Sequence, residues 1–367
     1  MKARTLIFTG ILFFPMLLLI FTGCKKHTSD IQPSTVYSKV EYSGNTNLSE
    51  ARWNLAAASA GTKILFAGGN GPAGSLSAKV DIYDVLTGQW STSSLSSPRG
   101  NLAAAGTGNT IWVGGGNDAN GPSGMVDIYN IGTGLWKYQA LSSPRYYLAA
   151  VAAGNKVFFA GGAPDVNAYV DQVDIFDATT LTRSPGHLSV PRAFLTATAL
   201  GNKVFFAGGY NANGASDVVD IYDLSTGIWS ATQLSEARFN LASAASGNKV
   251  LFAGGYKTIN TFSGKVDIYD ITTGQWSVSS LTFTSGGLCG ISAGNFILFA
   301  GGGNGISLSK VVDIYNSANG TWTTDLLSES RAFLAAGASN TKILFAGGKN
   351  GVTPLDVTTT ADLFTLK

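Results

Sequence analysis

A pair of glycines closing a short apolar run recurs seven times along this chain, at Gly68-Gly69, Gly115-Gly116, Gly161-Gly162, Gly208-Gly209, Gly254-Gly255, Gly301-Gly302 and Gly347-Gly348. The steps alternate between 47 and 46 residues. One complete unit runs Leu141-Ser-Ser-Pro-Arg145, Tyr146 to Ala153, Gly154-Asn155, Lys156 to Ala160, Gly161-Gly162, a variable loop, and Val173-Asp174-Ile175-Phe176-Asp177. A period of this length marks an array of identical supersecondary units.

Each unit carries four strand signals. The first is a stretch of small apolar residues such as Leu55-Ala56-Ala57-Ala58. Gly-Asn turns at Gly154-Asn155, Gly201-Asn202 and Gly247-Asn248 suit a two-residue hairpin that needs positive φ. The second strand reads Lys-Val-Phe-Phe-Ala or a close variant, apolar on both faces, as for a strand enclosed between layers. The third reads Val-Asp-Ile-Tyr-Asp. Thr-Gly turns at Thr87-Gly88, Thr133-Gly134, Thr226-Gly227 and Thr273-Gly274 lead into a fourth strand that opens near Trp90, Trp136, Trp229, Trp276 or Trp322. A four-stranded sheet of this size cannot bury both faces alone. Copies stacked around an axis bury them and leave only short edges. Small residues suit the crowded inner position, and Tyr and Trp fill the gaps where neighbouring sheets splay apart.

Double Gly, a Tyr about 14 residues on, a Trp seven further and Pro-Arg before the next unit together resemble the kelch repeat. The resemblance spans residues 48–367, with repeats starting near 48, 95, 141, 188, 234, 281 and 327. It implies an all-β, seven-bladed β-propeller over residues 36–367, with four-stranded antiparallel blades. The seventh unit, from Leu327 to Lys367, lacks a fourth strand, and residues 36–43, with Val36, Val40 and Tyr42, are expected to supply it and close the ring.

Composition narrows the function classes. Hydrophobic residues make up 45% of the chain and charged residues 13%, which excludes disorder. The 46 glycines show no three-residue period, which excludes collagen. Two His and two Cys leave little for a zinc site or a disulfide framework. No metal or cofactor is expected.

The first 23 residues read as an export signal: Lys2 and Arg4, then an apolar run from Leu6 to Phe21 too short for a comfortable membrane span. Phe21-Thr22-Gly23-Cys24 resembles the bacterial lipobox, with Phe21 where that motif usually has Leu. The resemblance implies cleavage before Cys24, lipidation of Cys24, and a tether over residues 24–35. Lys25 after the Cys points, by resemblance to enterobacterial sorting, to an outer-membrane lipoprotein of the cell envelope. Loss of Lys2 and Arg4 leaves 22 basic and 22 acidic residues. A neutral chain without a basic run is a poor nucleic-acid binder.

Six of the seven Arg in the mature chain hold one repeat position: Arg52, Arg99, Arg145, Arg192, Arg238 and Arg331. An Asp recurs in all seven third strands: Asp81, Asp127, Asp174, Asp220, Asp267, Asp313 and Asp362. Repetition in every blade argues for a structural Arg–Asp pair over a ring that gathers an anion. Unit six has Ser285 in place of Arg, which leaves Asp313 without that partner.

The two residues after the Arg differ between units: Trp53-Asn54, Gly100-Asn101, Tyr146-Tyr147, Ala193-Phe194, Phe239-Asn240, Gly286-Gly287 and Ala332-Phe333. They fall where one blade crosses to the next, the rim that binds partners in several kelch proteins. Trp53, Asn54, Asn101, Tyr146, Tyr147, Phe194, Phe239, Asn240 and Phe333 are the candidate ligand-binding residues. Aromatic faces and amides on a neutral surface suit a glycan or an extended peptide. The competing reading packs Trp53, Tyr146 and Phe239 between blades. Loops after Gly-Gly carry Tyr169, Tyr210 and Tyr256 with Asp118, Asp165, Asp171 and Asp217, a second candidate surface whose scattered acids do not resemble a calcium loop.

No catalytic set stands out. Cys289 aligns with Ala56 and reads as a small buried residue. Copper-oxidase chemistry of the galactose-oxidase type is not supported, because only His187 lies within the repeats. The leading function is a lipid-anchored envelope module presenting its rim to a glycan, peptide or protein. The alternative is a carbohydrate-active enzyme resembling the exported kelch sialic-acid mutarotases, with an acid from Glu50, Glu236 or Glu329, each two residues before a repeated Arg.

Overall fold

The computed structural model describes residues 36–367. The signal segment, Cys24 and the tether lie outside the described residues. Seven four-stranded antiparallel sheets follow one another along the chain. Their innermost strands are Ala56–Ala60 (blade I), Ala103–Thr107 (II), Ala149–Ala153 (III), Thr196–Leu200 (IV), Ala242–Ser246 (V), Cys289–Ala293 (VI) and Ala335–Ser339 (VII). In blade V the sequence then runs outward through Lys249–Ala253, Lys265–Asp270 and Trp276–Ser280.

The ring is closed by packing. Seven apolar clusters fill the seams between adjacent blades, and one joins Leu55, Ile64 and Phe66 of blade I to Ala335, Leu344 and Ala361 of blade VII. The second strands are buried on both faces, as Lys-Val-Phe-Phe-Ala requires. Each outer Trp leans toward the blade before it: Trp136 Nε1 donates to Ser93 Oγ at 2.9 Å, and Trp90 Nε1 to Thr46 Oγ1 at 3.1 Å. Blade III breaks the rule, with Arg183 opposite Phe176 where the other full units pair Tyr with Trp.

Closure is also covalently staggered. Blade VII is built from Ala335–Ser339, Lys342–Ala346, Thr360–Leu366 and the N-terminal strand Val40–Asn47. The strand expected over residues 36–43 therefore begins and ends four residues later. A bulge between Tyr42 and Gly44 lets the pairing run on through a stretch without apolar alternation, Asn45 to Asn47. Residues before it serve differently: Tyr37 N–H donates to Asn295 Oδ1 at 2.8 Å, and Asn295 Nδ2 donates back to the Tyr37 carbonyl at 3.1 Å.

The double glycines owe their constancy to close approaches, the first to the next blade and the second to the entry loop of its own. Gly68 has φ +62, and a Cβ there would lie 2.7 Å from the Arg99 carbonyl of the next blade. Gly69 (φ +104) would place one 2.9 Å from the Trp53 carbonyl. No side chain fits either place without moving the backbone.

A candidate binding mouth on the propeller axis

All six repeated arginines are fully buried, and each reaches the Asp of its own blade. Arg145 Nη2 lies 2.7 Å from Asp174 Oδ2 and Arg192 Nη2 lies 2.6 Å from Asp220 Oδ2. The guanidinium also donates to backbone carbonyls; Arg238 bonds Gly254 and Lys265 at 2.8 Å each. Burial lowers each arginine's pKa and the neighbouring carboxylate opposes that shift. These side chains tie a blade's entry loop to its second and third strands, and none faces the axis.

In blade VI, Ser285 stands in the arginine position. Asp313 accepts from the Thr282 hydroxyl at 2.6 Å and the Thr282 amide at 3.1 Å. Without a cation beside it, burial raises its carboxyl above the ordinary range.

The two residues after each arginine part company. The first of each pair joins the loop that follows its blade's double glycine: Trp53 bridges Asn70, Tyr146 bridges Ala163, and Phe239 bridges Tyr256. Phe239 is buried, stacked on Tyr256 at 5.2 Å and edge-on to Tyr210 at 5.0 Å. The second of each pair turns to the axis. Asn54, Asn101, Tyr147, Phe194, Asn240, Gly287 and Phe333 all have left-handed backbone, with φ between 47 and 68. Strand alternation is therefore not what separates the pair; a left-handed kink does.

That kink builds a belt. Tyr147 N–H donates to the Asn101 carbonyl (3.1 Å), Phe194 to Tyr147 (2.9 Å), Asn240 to Phe194 (2.9 Å), Gly287 to Asn240 (3.3 Å), Phe333 to Gly287 (2.7 Å) and Asn54 to Phe333 (3.1 Å). Between blades I and II the side chains make the link, Asn54 Nδ2 to Asn101 Oδ1 at 2.8 Å.

The belt encircles a cavity of about 390 Å³ lined by the seven belt residues, Trp53 and the leucine that follows each belt residue, Leu55 through Leu334. Seven of the nine candidate residues line it: Trp53, Asn54, Asn101, Tyr147, Phe194, Asn240 and Phe333. Tyr146 and Phe239 sit behind it. Tyr146 packs edge-on to Tyr147 at 4.8 Å. The leucines, present in every unit, are not among the residues the sequence reading singles out, although their constancy after the variable pair is the available signal.

No lining side chain is charged. Lys349 Nζ is 5.4 Å above the Trp53 ring. Tyr147 and Phe194 stack at 3.9 Å, and Trp53 meets Phe333 edge-on at 5.8 Å. Loop tyrosines extend the aromatic arc over blades III to V, since Tyr169 lies 6.1 Å from Tyr210. Asn54, Asn101 and their partner Asn117 (2.7 Å) form an amide arc across blades I and II. In blade VI, Gly286-Gly287 makes room for its neighbours: a Cβ on Gly286 would strike the Tyr256 ring, and one on Gly287 the Phe333 ring. Asp171, in the loop surface, pairs with exposed His187 at 3.2 Å.

Glu50, Glu236 and Glu329 accept from Ser77, Ser263 and Thr358 hydroxyls in their own blades, and none lines the mouth. Burial pushes the Cys289 thiol up to about 12.

Seven four-stranded blades around an uncharged axial mouth define a β-propeller. The family model of the Kelch motif matches residues 191–232 and 237–280, which are repeats IV and V, and the chain is a kelch-repeat β-propeller. Kelch propellers commonly bind proteins, which suggests a protein-interaction module in general. No curated protein matches this chain significantly.

Proposed function

We propose that this chain is a lipid-anchored module of the bacterial cell envelope whose axial mouth captures an extended peptide or glycan of a neighbouring molecule. One observation carries the reading. Tyr147, Phe194 and Phe333 hold φ of 53, 56 and 56, a conformation that costs a bulky residue about 1–3 kcal/mol. Sister blades fill the same position with Asn or Gly, which adopt it readily. Three aromatics kept there at a cost favour a use for the rings, and the rings face the mouth. Amides opposite them supply paired donors and acceptors for a polar backbone or hydroxyls.

The placement of Tyr37 fits this role. Tyr37 docks on Asn295, in the turn that ends the inner strand of blade VI. The mouth lies at the other end of the inner strands, which five residues place about 16 Å away. Tyr37 therefore lies on the face opposite the mouth, which is compatible with an anchor at Cys24 that leaves the mouth open to partners.

Screening the protein on glycan and peptide arrays tests the reading. The W53A/Y147A/F194A variant should lose the ligands that the wild type retains. A variant that keeps every ligand would move the site off the mouth. Cys24→Ser should abolish palmitate labelling, and persistence of the label would refute the anchor.

A further inference from the structure

Blade VI holds a set of acceptors whose usual occupant the sequence has removed. In blade V, Arg238 Nη1 donates to the Gly254 and Lys265 carbonyls at 2.8 Å, and its Nη2 reaches the Phe252 carbonyl at 3.4 Å and the Asp267 carboxylate. The same register in blade VI brings together the carbonyls of Gly301, Val311 and Phe299 and the carboxylate of Asp313. Phe299 opposes Asp313 as Phe252 opposes Asp267, and Gly301 N–H bonds the Val311 carbonyl as Gly254 bonds Lys265. The frame is thus the one that holds a guanidinium in the other six blades.

What differs is the side chain that enters it. Ser285 is too short to reach Asp313. Asp313 is 6% exposed, and its firm bonds from Thr282 go to Oδ1, leaving Oδ2 a single contact at 3.3 Å. In blades I, II and V the matching Oδ2 is the atom that takes the arginine. A buried carboxylate oxygen that lacks its cation is unfavourable. The entry loop here is Gly286-Gly287, and the space its side chains would take is filled by the rings of Tyr256 and Phe333.

We propose that blade VI carries a guanidinium-binding slot, formed by Asp313 and the Phe299, Gly301 and Val311 carbonyls, that takes an arginine side chain from a partner where the other blades use an arginine of their own. Planar bidentate donors match this acceptor set, and a compact ammonium does not. The inference is independent of the aromatic mouth: the slot exists whether or not the rings bind a ligand.

Methylguanidinium is the probe, with methylammonium and urea at equal concentration as controls, read by thermal melting of the full chain. At about ten times its Kd the wild-type Tm should rise by about 2 °C relative to the controls. Ser285→Arg should melt higher than wild type without the probe and lose the response to it. D313N should also lose the response. Equal shifts in wild type and S285R, or an equal effect of methylammonium, would overturn the proposal. Should S285R fail to fold, the wild-type and D313N pair decides alone: a response retained in D313N refutes the slot.

Discussion

At the residue scale, the molecule turns on two kinds of buried choice. The first is the arginine that each entry loop drives into its blade. Such pairs are poor stabilisers relative to apolar isosteres, yet costly to break on one side. Blade VI shows the broken state, softened by the Thr282 hydroxyl. Asp313 has a raised carboxyl pKa because it is buried and meets only Thr282. The folded chain therefore keeps a proton that the unfolded chain has released. The penalty for ionising Asp313 is absent below the unfolded value, near 3.8, and complete above the raised folded value. The stability advantage of S285R over wild type should grow as pH rises through that window and then level off. Urea melts of both proteins across the acid range measure it. A pH-independent difference would show that the introduced guanidinium acts without Asp313. The second choice is the left-handed belt residue, where an aromatic ring is held in a backbone that Asn or Gly fits better.

At the scale of elements, strands were the most legible part of the chain. The small inner-strand residues and the doubly buried apolar second strand recur in all seven units and the Tyr–Trp spacing in five, so local ambiguity averages away. The closing strand was legible only by subtraction. The last unit lacked an outer strand, but Val40–Asn47 has no period of its own, and its bounds come from pairing with Thr360–Leu366 through a bulge. Removing residues 36–47 would expose that edge, strip Tyr42 from Phe364 (5.5 Å apart) and undo the stagger that joins the chain's two ends. A melting temperature lower by at least about 10 °C is expected, measurable by calorimetry. A melt within a degree or two of wild type would mean that seam packing alone closes the ring.

At the scale of the whole molecule, seven seams of similar chemistry make a frame, and the axial mouth lies on the face where entry loops and double-glycine loops emerge. The position of the rim was readable from the residues that break the repeat. Its construction was not. Nothing in one unit's sequence reveals that the residue after Trp53 or Tyr146 bonds its counterpart in the next blade, because that belt exists only when the ring is closed. The competing reading sets Trp53, Tyr146 and Phe239 apart from the residues that follow them; Tyr146 and Phe239 lie behind the mouth, Trp53 lines it, and the leucines, identical in every unit, do not stand out as rim residues. The account then makes a claim about design: the belt gives up stability at three positions to show aromatic faces to a ligand. Replacing Tyr147 and Phe194 by Asn should relieve about 1 kcal/mol of strain at each site while forfeiting a stack of about 0.5–1.5 kcal/mol. The direct measurement pairs calorimetry with titration of an array-identified ligand on wild type and Y147N/F194N. The account predicts a melt within about 3 °C of wild type and binding weakened at least tenfold, whereas unchanged affinity, or a collapse of the melt, would contradict it.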